Sequence, residues 1–228
     1  MAFDIKPSKM LNGSGSSNYV FAPSKNICNV QIFDEISMES CNEMIGHMAE
    51  IIAKLPSKKP IETVSKKITS PYDVSPDIFV FDVAIDSPGG ELYTCHAIAS
   101  MFALAKSRGA IVRTHNVSEA ASAASILAIQ GTPGYRIMSD MAFNLVHNGS
   151  NALYGERANE LDIKLKKAKE EERYVLNTYL TYTKLTKKEY DKCIRVEGYG
   201  HMFANKCLRL GFCDWILTHD GRLIGRQR

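Results

Sequence analysis

The sequence predicts an α/β fold, because a buried strand, a turn and a helix follow one another twice in its central part. Residues 78–85 are almost all apolar, β-branched or aromatic, and a helical pattern covers 91–106. Residues 110–114 predict a second strand, 116–119 a turn and 120–129 a helix of small residues. With 45% hydrophobic residues in a chain of 228, one sizeable core can form.

The N-terminal residues 1–26 are weakly patterned and rich in glycine and serine, which predicts a flexible segment. We expect one globular domain over 27–228. It begins with an apolar strand at 30–33 and continues into an amphipathic helix that ends at Lys54. The following stretch, 56–76, is rich in proline and lysine and predicts an exposed inserted loop.

Composition excludes several classes of protein. The formal net charge of +3 is mild and its lysines are spread among acids, which does not indicate nucleic acid or an anionic membrane as partner. The six cysteines form no C-x-x-C pair and no zinc spacing with histidine, which favours reduced thiols in the cytoplasm. We expect a soluble chain, because the first residues lack the apolar core of a signal peptide and no stretch reaches a membrane-spanning length.

The first strand–helix junction contains the turn Ser87-Pro88-Gly89-Gly90. Proline fixes φ, and the two glycines allow backbone conformations that other residues avoid. A glycine turn between a buried strand and a helix presents free N–H groups, which suit an anion or a developing oxyanion.

The second junction holds Ser122, which we expect in the first turn of a helix and flanked by alanines. Two further strands, 135–138 and 143–146, lead to His147. A serine at a helix start and a histidine at a strand end, near a glycine-rich turn, suit acyl-transfer chemistry. Of the alternative hydroxyls, Ser87 is expected to bond the turn backbone and Ser125 to point away from the site.

At these residues the chain resembles the proteolytic subunit of the Clp protease, a self-compartmentalising serine peptidase. That family carries a Ser-Pro-Gly-Gly turn, a serine preceded by Ala-Ala, and a histidine at the separation found between Ser122 and His147. The resemblance covers roughly 27–220 and includes the closing strand at 211–218. It implies a crotonase-like spiral of β-β-α units with a protruding α/β handle over 148–186.

The resemblance also implies roles for individual residues. Ser122 would be the nucleophile and His147 the general base, and the backbone N–H groups of Gly90 and Ala123 would form the oxyanion hole. No metal and no small cofactor is implied. The chain has no Walker-type phosphate-binding loop, so any dependence on ATP would come from a separate AAA+ unfoldase.

The third catalytic residue of that family is an aspartate, and its position here is ambiguous. Counting forward from the short helix before it gives Glu197, whereas counting back from the closing strand gives Tyr199. Glu197 is the only acid in this loop and is therefore the predicted orienting group for the histidine. Asp191 and Asp214 are poorer candidates, since the first should lie on the helix and the second begins the closing strand.

The handle is predicted to contain a long helix over 156–185, with one stripe of residues spaced three or four apart. The stripe consists of Ala158, Leu161, Leu165, Ala168, Glu172, Val175 and Tyr179, and Glu172 is its only polar member. By resemblance this helix would pack against a second ring, and the protein would form a homo-oligomer of heptameric rings stacked in pairs. Its substrates would be unfolded polypeptides.

Two other classes of function remain open from the sequence. One is a catalytically silent Clp-like subunit that keeps the fold and the ring contacts; the alanine at 124, where the family commonly has glycine, leaves room for it. The other is a different crotonase-like enzyme, such as an acyl-CoA hydratase or a signal-peptide peptidase. The hydratase has no use for a Ser-His pair, and the peptidase would need a catalytic lysine and usually a membrane anchor.

Overall fold

The computed structural model describes residues 19–24, 26–57, 68–147, 158–196, 198 and 200–225. Within these residues the chain forms nine strands and six helices. The strands are β1 (Tyr19–Ser24), β2 (Ile27–Ile32), β3 (Val80–Ser87), β4 (Ile111–Ala121), β5 (Arg136–Ser139), β6 (Phe143–Leu145), β7 (His201–Phe203), β8 (Trp215–Leu217) and β9 (Leu223–Gly225). The helices are α1 (Met38–Lys54), α2 (Leu92–Ser107), α3 (Ala123–Ile129), α4 (Ala158–Tyr182), α5 (Lys187–Arg195) and α6 (Ala204–Leu210).

The strands belong to one sheet with a parallel centre. Its order is β1-β2-β3-β4-β5-β8-β9, and β6 pairs with both β4 and β7. Strands β2, β3, β4, β5 and β8 run parallel, while the pairs β1–β2, β6–β7 and β8–β9 are antiparallel. Parallel neighbours require crossover connections, and helices supply them between β2, β3 and β4. The predicted α/β class is therefore confirmed.

Helices α1 and α2 pack with the sheet in the main hydrophobic core. Helix α1 begins with a capping box, in which Ser37 and Ser40 satisfy each other's backbone N–H groups. Its core face is formed by Cys41, Met44, Met48 and Ile52. Met38, the first residue of this helix, is 50% exposed.

A smaller cluster lies apart from the main core. Val80, Ile111 and Tyr135 pack there with Ile68, Val74 and Ile78. The C-terminal part of the predicted inserted loop thus contributes to a packed surface, and Tyr72 lies 4.9 Å from the guanidinium of Arg113. Residues 58–67 of that loop lie outside the described part of the chain.

Strand β4 is longer than the sequence predicts. The pattern indicated a strand over 110–114 and a turn over 116–119, but the strand runs from Ile111 to Ala121. Its second half pairs with β6, from Glu119 opposite Phe143 to Ala121 opposite Leu145. This non-local pairing supplies backbone partners for residues whose local sequence favours a turn. As a consequence, the following helix begins at Ala123.

The predicted N-terminal segment and the predicted handle are each described only in part. The expected flexible segment 1–26 contains a strand, since Tyr19–Ser24 pairs antiparallel with β2. Residues 1–18 lie outside the described part of the chain, as does the first part of the predicted handle, 148–157.

Helix α4 changes its environment along its length. Near its N-terminus, Ile163 is 67% exposed and Leu165 is 45% exposed. Near its C-terminus, Tyr179 is 2% exposed and stacks against Tyr190 and Phe212 in the core. The first half of the helix therefore exposes apolar side chains, whereas the second half is anchored in the core.

Candidate active site

The glycine turn at the end of β3 lies directly against Ser122. The Ser87 hydroxyl donates to Asp34 O at 2.7 Å and accepts from Gly89 N–H at 3.1 Å, so this serine stabilises the turn. Gly89 has φ +98°, and a Cβ added there would lie 2.7 Å from Ser122 Cβ and 2.6 Å from Ala121 O. Only glycine allows so close an approach between the turn and the β4–α3 junction.

The backbone of Gly90 is held by Ile36. Ile36 N–H donates to Gly89 O at 2.7 Å, and Ile36 O accepts from Glu91 N–H at 2.6 Å. Because these two bonds use the groups on either side of Gly90, its own N–H is directed away from Ile36. Gly90 has φ +142° and lines the cavity beside Ser122.

Ser122 occupies a strained junction between strand and helix. Its φ of 53° and ψ of −120° make it the one non-glycine residue with positive φ in the described ranges. Its N–H donates to Leu145 O at 3.0 Å, which fixes the junction to β6. A serine on a sharp strand-to-helix turn exposes its hydroxyl, and such strain concentrates at functional sites. The sequence predicted Ser122 one step further along, inside the first helical turn.

The parallel pairing of β4 with β6 brings His147 to the same place. Ala121, which precedes Ser122, lies opposite Leu145, which is two residues before His147. Val146 between them is buried, and His147 is exposed. The two chain segments thus leave the sheet side by side, one with the serine and one with the histidine.

These residues line one cavity of about 580 Å³. Its lining includes Ser122, Ala123, Gly90 and His147, which come from three different segments of the chain. A hydroxyl, an imidazole and two backbone N–H groups around a common space are the groups that acyl transfer requires. Four of the five residues that the sequence singled out therefore line the same cavity.

Comparison with known families agrees with this geometry. A model of the Clp protease family matches residues 68–220, which is more than half of the chain and includes the glycine turn, Ser122 and His147. The chain belongs to the Clp protease family. No curated protein matches the chain.

The fifth predicted residue of this Clp-type chain, Glu197, lies outside the described residues, as does Tyr199. The strand that follows them is anchored beside the histidine. Val146 N–H donates to Gly200 O at 3.1 Å, and Leu145 pairs with His201. The backbone at Gly200 is thus hydrogen-bonded to the residue that precedes His147.

The two alternative acids are engaged elsewhere. Asp214 is buried and receives two hydrogen bonds from the Arg136 guanidinium, at 2.7 and 2.8 Å. Asp191 forms an ion pair with Lys187 one turn away on α5. Neither lines the cavity that holds Ser122 and His147. Their positions agree with the low rank that the sequence gave them.

A buried hydrogen-bond chain beneath the site was not predicted from the sequence. The Tyr179 hydroxyl donates to Ser125 Oγ at 2.8 Å, and Ser125 Oγ donates to Asn144 Oδ1 at 2.5 Å. Burial raises the pKa of Tyr179, which keeps its hydroxyl protonated as a donor. The available signal was the occurrence of polar Asn144 and Ser125 in otherwise apolar segments.

The cysteines do not provide a competing nucleophile. All six are free and buried. Cys95 donates to Ala123 O at 3.3 Å, and burial raises the pKa of its thiol, so that the thiolate is disfavoured.

The described parts of the chain contain neither a cluster of metal ligands nor a membrane-spanning helix. No group of three or more His, Cys, Asp or Glu side chains there could hold a metal ion. Over the same residues, none of the helices combines the length and the apolarity needed to cross a membrane.

Proposed function

We propose that this protein is a serine endopeptidase subunit of a Clp-type protease, with Ser122 as nucleophile and His147 as general base. The observation that carries the proposal is the strained strand-to-helix position of Ser122 in a cavity that it shares with His147, Gly90 and Ala123. Membership in the Clp protease family supports it independently of that geometry.

In the proposed mechanism, His147 takes the proton of the Ser122 hydroxyl as its oxygen attacks a peptide carbonyl carbon. The negative charge that develops on the carbonyl oxygen is stabilised by the N–H groups of Gly90 and Ala123, each contributing about 3–4 kcal/mol to the transition state. His147 then donates its proton to the leaving amine. Water, activated by the same imidazole, hydrolyses the acyl-enzyme and restores the free serine.

The acid in this proposal is Glu197. Its carboxylate would accept the second N–H of His147, fix the imidazole tautomer and stabilise the imidazolium that forms during attack. Anchoring of Gly200 to Val146 supports this assignment, because it holds the chain three residues after Glu197 next to the histidine. A glutamate is longer than the family's aspartate, and it can compensate for a backbone that lies slightly further away.

We further propose that the subunit acts in heptameric rings stacked in pairs, which receive unfolded polypeptide from an AAA+ unfoldase. The family implies an oligomeric protease, and the first half of α4 carries two exposed apolar side chains, Ile163 and Leu165, that neighbouring subunits would cover. The proposed setting is the cytoplasm, where six free cysteines would stay reduced.

The deciding experiment is labelling with an alkyl fluorophosphonate, which reacts with activated serines. We expect the wild-type protein to be labelled, Ser122→Ala to lose all labelling, and His147→Ala and Glu197→Gln to be labelled at least tenfold more slowly. Asp191→Asn is the control, because this carboxylate is already paired on α5 and should not affect the rate.

Each other outcome has a definite meaning. Labelling that survives Ser122→Ala would refute the site. An unchanged rate in Glu197→Gln would remove Glu197 from the mechanism while leaving the serine and the histidine in place. Assembled rings without labelling would instead favour a catalytically silent subunit, and mixing them with an active subunit would test that role.

A further inference from the structure

The cavity beside Ser122 has a charged wall, and most of its charges are already paired. Two of the paired residues, Lys167 and Glu171, belong to α4. The Tyr93 hydroxyl donates to Glu171 Oε1 at 2.7 Å, and Lys167 Nζ lies 3.9 Å from the same oxygen. The Lys167 ammonium also lies 4.6 Å from the centre of the Tyr93 ring. The charges of Lys167 and Glu171 therefore balance each other.

A third charged residue, Glu91, is also engaged. Its Oε2 accepts from Met38 N–H at 3.1 Å and from the Thr94 hydroxyl at 2.8 Å. Met38 is the first residue of α1, so this carboxylate stabilises the N-terminus of that helix.

Glu172 differs from these three residues. It lines the cavity between Ala168 and Val175, at the one polar position of the otherwise apolar stripe on α4. Glu172 is exposed to solvent, and among the described residues no side chain or backbone group forms a hydrogen bond or an ion pair with its carboxylate. Burial and then the charge of Glu172 raise the pKa of Tyr190 to about 12, so the carboxylate acts on a tyrosine of the cavity wall.

The rest of this wall is apolar and aromatic. Leu92, Ile126 and Val175 line the cavity, together with the rings of Tyr179 and Tyr190. A substrate side chain that complements both the apolar wall and the Glu172 carboxylate has a long aliphatic stem and a cationic end. The stem packs on the apolar residues, and the cation pairs with the carboxylate. Lysine and arginine are the side chains with this form.

We propose that Glu172 makes the cavity select lysine or arginine at the substrate residue whose carbonyl Ser122 attacks. This inference rests on the proposed function, since the side chain of that residue enters the cavity next to the nucleophile. Glu172 acts as a specificity residue and takes no part in proton transfer.

The test compares two peptide diphenyl phosphonates that react with the serine and differ only at that residue, one with lysine and the other with norleucine. The two side chains share the same aliphatic stem, so the ratio of inactivation rates isolates the ammonium group. We expect the wild-type protein to react at least tenfold faster with the lysine probe. In Glu172→Gln the ratio should fall towards one, and in Glu172→Lys it should fall below one.

The matched control is Glu170→Gln, which removes a carboxylate from the same helix. Glu170 pairs with Arg173 and does not line the cavity, so this variant should keep the wild-type ratio. Because misfolding slows both probes together, the ratio remains interpretable in a damaged variant.

A wild-type ratio at or below one, or a ratio that Glu172→Gln leaves unchanged, would overturn the inference and leave the proposed function standing. Absence of reaction with both probes and with a simple fluorophosphonate would overturn the proposed function itself, and this inference with it.

Discussion

At the scale of single residues, the backbone conformation of Ser122 is the most informative feature of the protein. Holding a serine at φ 53° costs on the order of 1–3 kcal/mol, which the surrounding structure must offset. The hydrogen bond from its N–H to Leu145 O and the close approach of Gly89 both hold the junction in this form. The strain presents the hydroxyl to the cavity and is offset by contacts from two neighbouring segments.

We predict that Gly89→Ala disrupts this junction. The new Cβ would lie 2.6 Å from Ala121 O and would force alanine to adopt φ +98°. We expect a stability loss of about 2 kcal/mol or more, together with at least a tenfold slower reaction with fluorophosphonate. Chemical denaturation and labelling rates measure the two effects.

Gly221→Ala separates backbone strain from the contact with Ser122. Gly221 also has positive φ, +83°, but an added Cβ would meet nothing within 4 Å. Its replacement should cost about 1 kcal/mol and leave labelling unchanged. If Gly89→Ala were no more harmful than Gly221→Ala, the close approach of the glycine turn to Ser122 would have no functional role.

The sequence predicted the kinds of groups at the site better than their conformations. Ser122 and His147 could be singled out because they lie next to strand ends and turns, which local patterns mark, whereas the roles of Gly90 and Ala123 were implied by the resemblance to the Clp protease family. The positive φ of Ser122 could not be predicted, since it results from contacts with Gly89 and Leu145 that are distant in sequence. The same holds for Glu172, whose carboxylate has no partner among the described residues because its neighbours are paired with one another.

At the scale of elements, a buried hydrogen-bond chain links the helix after the nucleophile to two other elements. Tyr179 on α4, Ser125 on α3 and Asn144 on β6 form it, and all three are buried. Strand β6 leads to His147, and α3 follows Ser122. These hydrogen bonds therefore fix the relative positions of the two segments that carry the candidate catalytic residues. Buried networks of this kind stabilise only when every member is satisfied.

We predict that Tyr179→Phe weakens this connection. The variant keeps the ring in the core but removes the donor to Ser125 Oγ, so a stability loss of about 1–2 kcal/mol is expected. It should appear as a lower midpoint of chemical denaturation at matched protein concentration.

The control for this variant is Tyr174→Phe on the same helix. Tyr174 is 41% exposed, its ring packs against His96, and within the described residues its hydroxyl has no hydrogen bond. This change should alter stability by less than about 0.5 kcal/mol. Equal losses of stability in the two variants would show that the buried hydrogen bond from Tyr179 does not contribute to stability.

Elements with a strong local signal were predicted well, and those that depend on distant partners were not. Helix α2 begins and ends within about one residue of its predicted bounds. Strand β4 extends past its predicted end because β6, which lies more than twenty residues later, provides its partner. Such pairing is a property of the tertiary fold and cannot be read from the local pattern of residues 116–119.

At the scale of the whole molecule, the described strands form one sheet, and the first half of α4 exposes apolar side chains. The exposed part of α4 carries the apolar side chains of Ile163 and Leu165 among charged ones. Membership in the Clp protease family implies an oligomeric assembly. We therefore expect this surface to be buried in the assembly.

We predict that the double variant Ile163→Glu, Leu165→Glu assembles less completely than the wild-type protein. Both positions are solvent-exposed in the single chain, so the folded subunit should tolerate the charges, while an apolar contact between subunits should not. Native mass spectrometry should show paired rings for the wild-type protein and single rings or smaller species for the variant. Lys169→Glu, at an exposed charged position of the same helix, should assemble normally. Unchanged assembly of the double variant, with a normal circular dichroism spectrum, would show that α4 does not form the contact between rings.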